Sequence, residues 1–268
     1  MSEFPCDQPV NVNVTLGQGD CSITAEDRGT VVVTVEPYKT DKKSIVAAEE
    51  TEVSFDNGQL RVRTPESMTS WLFSGGASKN GAVKINIKVP TGSNATVKSS
   101  SAAVLCNGDF LRTSLTSASG SLTVASANSV KANTASGEIR VYDCTESASA
   151  NSASGDIQFD RVGGDASAKS VSGDIRMGHI GASVSANSVS GDISVDSVHG
   201  NSCRLKTVSG SIAIGIPSGT GVWMDLNSVS GTTSSDLAVG DLPGDSDATL
   251  NLRANSVSGN IDLFRTTA

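Results

Sequence analysis

Ser-Gly pairs recur along this chain at an almost constant interval. Their glycines stand at Gly120, Gly137, Gly155, Gly173, Gly191, Gly210, Gly231 and Gly259, giving spacings of 17, 18, 18, 18, 19, 21 and 28. The hexapeptide S-V-S-G-D-I at Ser170–Ile175 returns unchanged at Ser188–Ile193, and N-S-V-S-G follows from Asn227 and again from Asn255. A period held this tightly marks stacked copies of one unit, and it constrains the fold more than any local propensity.

Aligned on the glycine, the copies resolve into columns. Two residues after it stand Ile139, Ile157, Ile175, Ile193, Ile212 and Ile261, and four after it Val141, Phe159, Met177, Val195, Ile214 and Leu263. Two before it stand Ala135, Ala153, Val171, Val189, Val208, Val229 and Val257. These positions share one parity, so an extended strand would carry all of them to one dry side. Cys144, Val162, Ile180 and Val198, seven after, and Ala132, Ala150, Ala168, Ala186 and Leu205, five before, complete the apolar set.

An isolated copy cannot bury such a stripe. Stacking copies at ~4.8 Å per rung sets Ile on Ile and Val on Val, with the backbone paired above and below. The expected fold is therefore all-β: a single-stranded parallel β-helix, or β-solenoid, with about 18 residues per coil and about 8 coils, hence roughly 35–40 Å of stacked rungs. Three hexapeptides per coil, the left-handed arrangement, agree at two apolar steps and fail at the third, where Ser147, Asp165, Ser183 and Asn201 stand. Composition suits thin aliphatic layers rather than a helical core, with 37% hydrophobic and only 4% aromatic residues.

Residues 1–98 keep β character without the period. P-V-N-V-N-V-T-L, T-V-V-V-T-V-E and V-K-I-N-I-K-V-P read as strands, and F-D-N-G-Q-L at Phe55–Leu60 as a type I′ hairpin. Tyr38–Glu50 is polar with a short helical pattern. The expected organisation is one continuous domain. Residues 1–98 form an N-terminal β cap and early irregular coils, and 99–268 form the regular repeats, with loops at Gly215–Gly221 and Thr232–Asp247.

The opening P-V-N-V-N-V-T-L-G-Q-G-D-C-S-I-T-A-E-D-R-G-T-V-V-V-T-V-E-P, then D-N-G-Q-L-R-V-R-T-P, then K-V-P-T-G-S and the S-G-D-I array, resemble a bacterial family of β-strand-repeat proteins. Its members carry the adhesin label, and the actinobacterial ones are most similar. The resemblance runs along essentially the whole chain. It implies a right-handed β-helix related in shape to adhesin head domains, and it implies no enzymatic activity.

The formal net charge of −8 argues against nucleic acid, which needs clustered Lys and Arg. No window approaches a membrane-spanning length of apolar residues. The N-terminal M-S-E-F-P-C-D-Q-P has neither a basic nor an apolar signal region. A cytoplasmic location is expected, or a surface or secreted one if a signal was removed ahead of the numbering. Cys6, Cys21, Cys106, Cys144 and Cys203 are odd in number and none are at C-x-x-C spacing. They read as free buried thiols, with Cys6–Cys21 left open as a bridge.

Two groups are candidate sites. Glu138, Asp156, Asp174 and Asp192 form an acidic column one residue after the glycine. They either accept hydrogen bonds from turn amides or hold Ca²⁺, which wants more oxygens than one Asp per rung supplies. Trp71 and Phe73, in S-W-L-F-S-G-G, are either a plug for the end of the helix or an anchor for a partner. Trp223 reads as covering the wall near the late loop. His179 and His199 fall in different columns, and no serine stands in an activated motif.

The expected function is a non-catalytic scaffold or adhesin-like binding protein with no cofactor and an unidentified protein or carbohydrate partner. Two alternatives stand beside it. One is head-to-tail self-association through terminal rungs, with S-G-N-I-D-L-F-R as the last rung. The other is a carbohydrate-binding or carbohydrate-active β-helix, although Arg140 and Arg176 lie two rungs apart.

Overall fold

The computed structural model describes residues 1–65, 81–237 and 249–266. Two compact units divide the chain, Met1–Asn128 and Ser129–Ala268. The fold is all-β, with one short helix among the described residues.

The first unit contains β1 (Ser2–Pro5), β2 (Asn11–Leu16), β3 (Gly19–Glu26), β4 (Thr30–Pro37), α1 (Lys42–Glu49), β5 (Glu52–Asp56), β6 (Gln59–Arg63), β7 (Val83–Pro90), β8 (Asn94–Ser99) and β9 (Ala103–Ser117). Parallel pairing joins β2 to β6 and β8, β3 to β7 and β9, and β8 to β9. Antiparallel pairing adds β1 to β4, β4 to β7, and β5 to β6. Alternation decides which side is buried. Val12, Val14 and Leu16 of β2 and Val83, Ile85, Ile87 and Val89 of β7 go inside, while the intervening Asn, Thr and Lys face out.

The β5–β6 connection is the expected type I′ turn, with Asn57 at φ 46° and Gly58 at φ 71°. The polar segment after β4 forms α1. Its N-cap Asp41 accepts the Ser44 N–H at 3.0 Å and the Ser44 hydroxyl at 2.9 Å. β10 (Leu122–Thr134) spans the unit boundary in sequence.

The second unit contains β11 (Ile139–Ser152), β12 (Ile157–Val162), β13 (Ala166–Lys169), β14 (Ile175–Ile180), β15 (Val184–Asn187), β16 (Ile193–Val198), β17 (Ser202–Lys206), β18 (Ile212–Pro217), β19 (Gly221–Ser230), β20 (Thr233–Ser235), β21 (Thr249–Ser258) and β22 (Ile261–Thr266). Ile139, Ile157, Ile175, Ile193 and Ile212 pair in unbroken parallel register. Ala150, Ala168, Ala186 and Leu205 form a second such column. Aliphatic side chains from equivalent repeat positions thus lie on adjacent strands, and the isoleucines are fully buried.

Two sequence expectations fail here. The first concerns rung order. β21 pairs with β17 on one side and β19 on the other, and β22 lies likewise between β18 and β20. The C-terminal repeat S-G-N-I-D-L-F-R is therefore an inner rung, and the Gly231 repeat lies outside it. The interval of 28 residues between Gly231 and Gly259, which looks like a loop insertion, returns the chain by one rung. Residues 238–248 of that interval lie outside the described residues.

The second concerns the column two before the glycine. Val171, Val189, Val208, Val229 and Val257 are exposed rather than buried. The S-V-S-G tetrapeptide bends instead of running extended, so strand parity does not carry through it. The residue that turns inward is the one three before the glycine. Ser117, Thr134, Ser152, Ser170, Ser188, Thr207 and Ser256 are all buried. The hydroxyls of Ser117, Thr134, Ser152 and Ser170 accept the N–H of Gly120, Gly137, Gly155 and Gly173 at 2.7–2.9 Å. Those of Ser188 and Thr207 donate across the rung to Gly173 and Gly191 carbonyls. A buried hydroxyl is tolerated because it closes the corner's own backbone.

Candidate functional site

The acidic column is a ladder of side chain to backbone bonds. Asp156 Oδ1 accepts the Asp174 N–H at 2.9 Å, Asp174 Oδ1 that of Asp192 at 3.0 Å, and Asp192 Oδ1 that of Ser211 at 2.7 Å. Asn260 Oδ1 repeats the contact on the Thr232 N–H at 3.0 Å. Arg176 adds ion pairs to Asp174 at 2.8 Å and Asp156 at 3.6 Å. These three aspartates therefore have a structural task, while Glu138, the fourth member of the column, is exposed. Among the described residues no group of three or more His, Cys, Asp and Glu side chains is placed to hold a metal ion. Trp71 and Phe73 lie outside the described residues.

A parallel column runs Asp143, Arg161, His179 and Ser197. Arg161 grips Asp143 in a two-point contact at 2.8 and 3.1 Å, which lowers the Asp143 carboxyl below its usual range and raises the guanidinium. The Ser197 hydroxyl and His199 Nε2 are 3.0 Å apart. That geometry suits a nucleophile and base, but Ser197 is buried.

None of the five cysteines is in a disulfide. Cys21, Cys106, Cys144 and Cys203 are buried, and Cys6 is half-buried. Desolvation pushes Cys106 and Cys203 up to about 12 and raises Cys21 further, so none of these is poised as a thiolate at neutral pH.

The outer surface of the last three rungs has a different chemistry. Trp223 does not cover the wall but stands 72% exposed, and only Val229 among the described large apolar residues beyond the chain start exceeds it. In register it stands beside Asn251, which stands beside Ser202. The next column holds Arg204, Arg253 and Asp225, and the next Lys206, Asn255 and Asn227. Arg253 Nε is 3.5 Å from Asp225 Oδ2, both well exposed. Asn201, Ser202, Cys203, Arg204, Asn251 and Arg253 line a groove of about 360 Å³. Sequence reasoning missed this patch because Arg204 and Arg253 are 49 positions apart and meet only through the altered rung order.

Of three solved structures compared, the first supports the fold. A "putative adhesin" from Parabacteroides merdae superimposes with a TM-score of 0.51 at 11% identity, over 98% of this chain and 95% of that one. A "putative lipid binding protein" from Parabacteroides distasonis gives 0.49 at 14% identity over 98% and 95%. A "putative adhesin" from Bacteroides fragilis gives 0.47 at 14% identity over 98% and 95%. No curated protein matches the sequence. The family model described as Toastrack DUF4097 matches residues 11–263, nearly the whole repeat-bearing chain, and the chain belongs to that family.

Proposed function

We propose that this protein is a non-catalytic binding scaffold of the adhesin type, whose second unit winds as a right-handed single-stranded β-helix of about 18 residues per coil. The carrying observation is the register that sets Ile139, Ile157, Ile175 and Ile193 over one another, leaving ordered polar columns outside. The side chains that could do chemistry have other tasks. The corner hydroxyls close turns, the Asp column bonds the next rung, and the buried thiols are held protonated. The adhesin description of the Parabacteroides merdae neighbour agrees with a binding role.

The test is a screen of glycoside, ester and peptide substrates against the intact chain, with Ser197→Ala as control. No turnover is expected. Turnover that a single polar substitution abolishes overturns the reading. For location, no described helix is long and apolar enough to cross a membrane. Protease treatment of intact cells separates a surface protein from an internal one.

A second reading is self-association through the outermost rung. Among the described residues β19 has a strand on one side only, and it carries exposed Trp223, Met224 and Val229. Sedimentation over a concentration series decides it, and a monomer throughout removes it.

A further inference from the structure

The groove beside Trp223 reverses the charge of its surroundings. The chain carries −8 overall, yet Arg204 and Arg253 stand in register on adjacent rungs with Lys206 one column along. Like charges in register on neighbouring rungs repel each other. Arg253 has Asp225 to offset this, whereas Arg204 makes no ion pair among the described residues. An anion seated between the two guanidiniums would compensate both, in the fork geometry that arginine offers a carboxylate.

The remaining lining narrows the anion's class. Asn201, Ser202 and Asn251 present amides and a hydroxyl that donate and accept, as ring hydroxyls require. Trp223, one strand away and in register beside the lining Asn251, offers an exposed flat apolar face. At about 360 Å³ the groove has the size of a small-ligand site. An indole face, amides and paired arginines together suit a ring that is apolar on one face, hydroxylated at its edge and acidic at one end. An extended acidic peptide would use the arginines and leave the rest idle.

We propose that this groove binds an acidic saccharide, a hexuronic acid unit of a polysaccharide. The carboxylate lies between Arg204 and Arg253, and the pyranose ring lies against Trp223. The proposal rests on the binding-scaffold reading and supplies its ligand class.

Calorimetric titration of the full chain with short oligogalacturonate and hyaluronan oligosaccharides tests it, with maltooligosaccharide and poly-glutamate as comparators. Saturable binding of at least one uronate is expected, weakened roughly tenfold or more by Arg204→Ala and by Trp223→Ala and reduced by salt. Both side chains are exposed, and unchanged melting temperatures of the variants confirm that only the groove is altered. Absence of uronate binding, indifference to either substitution, or equal affinity for poly-glutamate or the neutral sugar overturns the assignment. Those outcomes leave the scaffold reading standing, since that reading falls to turnover instead.

Discussion

Asp156 uses its carboxylate oxygen to accept the backbone N–H of Asp174, its own counterpart on the next rung, at 2.9 Å. Asp174 does the same to Asp192 at 3.0 Å. The column therefore needs an acceptor, not a charge, and Asn260 already fills the role at the Gly259 repeat. Asp174→Asn should leave stability within about 0.5 kcal/mol, because relief of like charges one rung apart offsets loss of the exposed Arg176 ion pair. Asp174→Ala should cost about 1 kcal/mol. Urea denaturation of the two variants separates them, and equal loss in both would show that charge matters.

The buried corner hydroxyl makes a sharper demand. Ser170 Oγ accepts the Gly173 N–H at 2.8 Å inside the unit. Ser170→Ala strands that donor and should destabilise by about 1–3 kcal/mol. Ser170→Thr should be well tolerated, since Thr134 and Thr207 hold equivalent places. Thermal melts of both variants check the pair.

Two glycines are required for different reasons. A Cβ on Gly173 would lie 2.2 Å from the Gly155 carbonyl oxygen, which is backbone and cannot move aside. Gly173→Ala should therefore cost about 3 kcal/mol, at the upper end for overpacking. Gly58, at φ +71°, has open space where a Cβ would go. Gly58→Ala should cost only the left-handed penalty, about 1–2 kcal/mol. Denaturation midpoints in that order are the expected result.

Rung order gives a prediction opposite to chain order. Residues 249–258 belong to the last repeat in sequence yet lie between two strands, whereas β19 has a strand on one side only among the described residues. Amides of β21 should exchange with deuterium more slowly than those of β19. Leu252→Ala should cost about 2–5 kcal/mol, because Leu252 is fully packed. Met224→Ala, at the half-exposed equivalent position, should cost far less.

Thiol burial predicts loss of stability in alkali. Folding raises the ionisation of Cys106 and Cys203 from 9.0 to about 12. Below pH 9 the thiols are protonated in both states and their contribution is fully present. Between pH 9 and about 12 the unfolded chain ionises and the folded chain does not, so stability falls by up to about 1.4 kcal/mol per pH unit for each thiol. Cys203→Ala should flatten that slope. In native protein Cys6, half-buried, should react with a thiol reagent before the other four.

Much of this was legible in the chain. The interval of the Ser-Gly pairs dictated parallel stacking, because only in-register copies bury Ile157, Ile175 and Ile193 together. Asn57-Gly58 dictated its turn, since both residues tolerate a positive φ. These are local or periodic facts, and a one-dimensional pattern can hold them. Tertiary structure alone decided the rest. Val171 points outward and Ser170 inward because a bend breaks strand alternation, and the bend's hydrogen bonds have no counterpart in a hydropathy pattern. Arg204 meets Arg253, with Trp223 nearby, because a late rung slips between two earlier ones, and proximity created by chain reversal leaves no trace in sequence spacing.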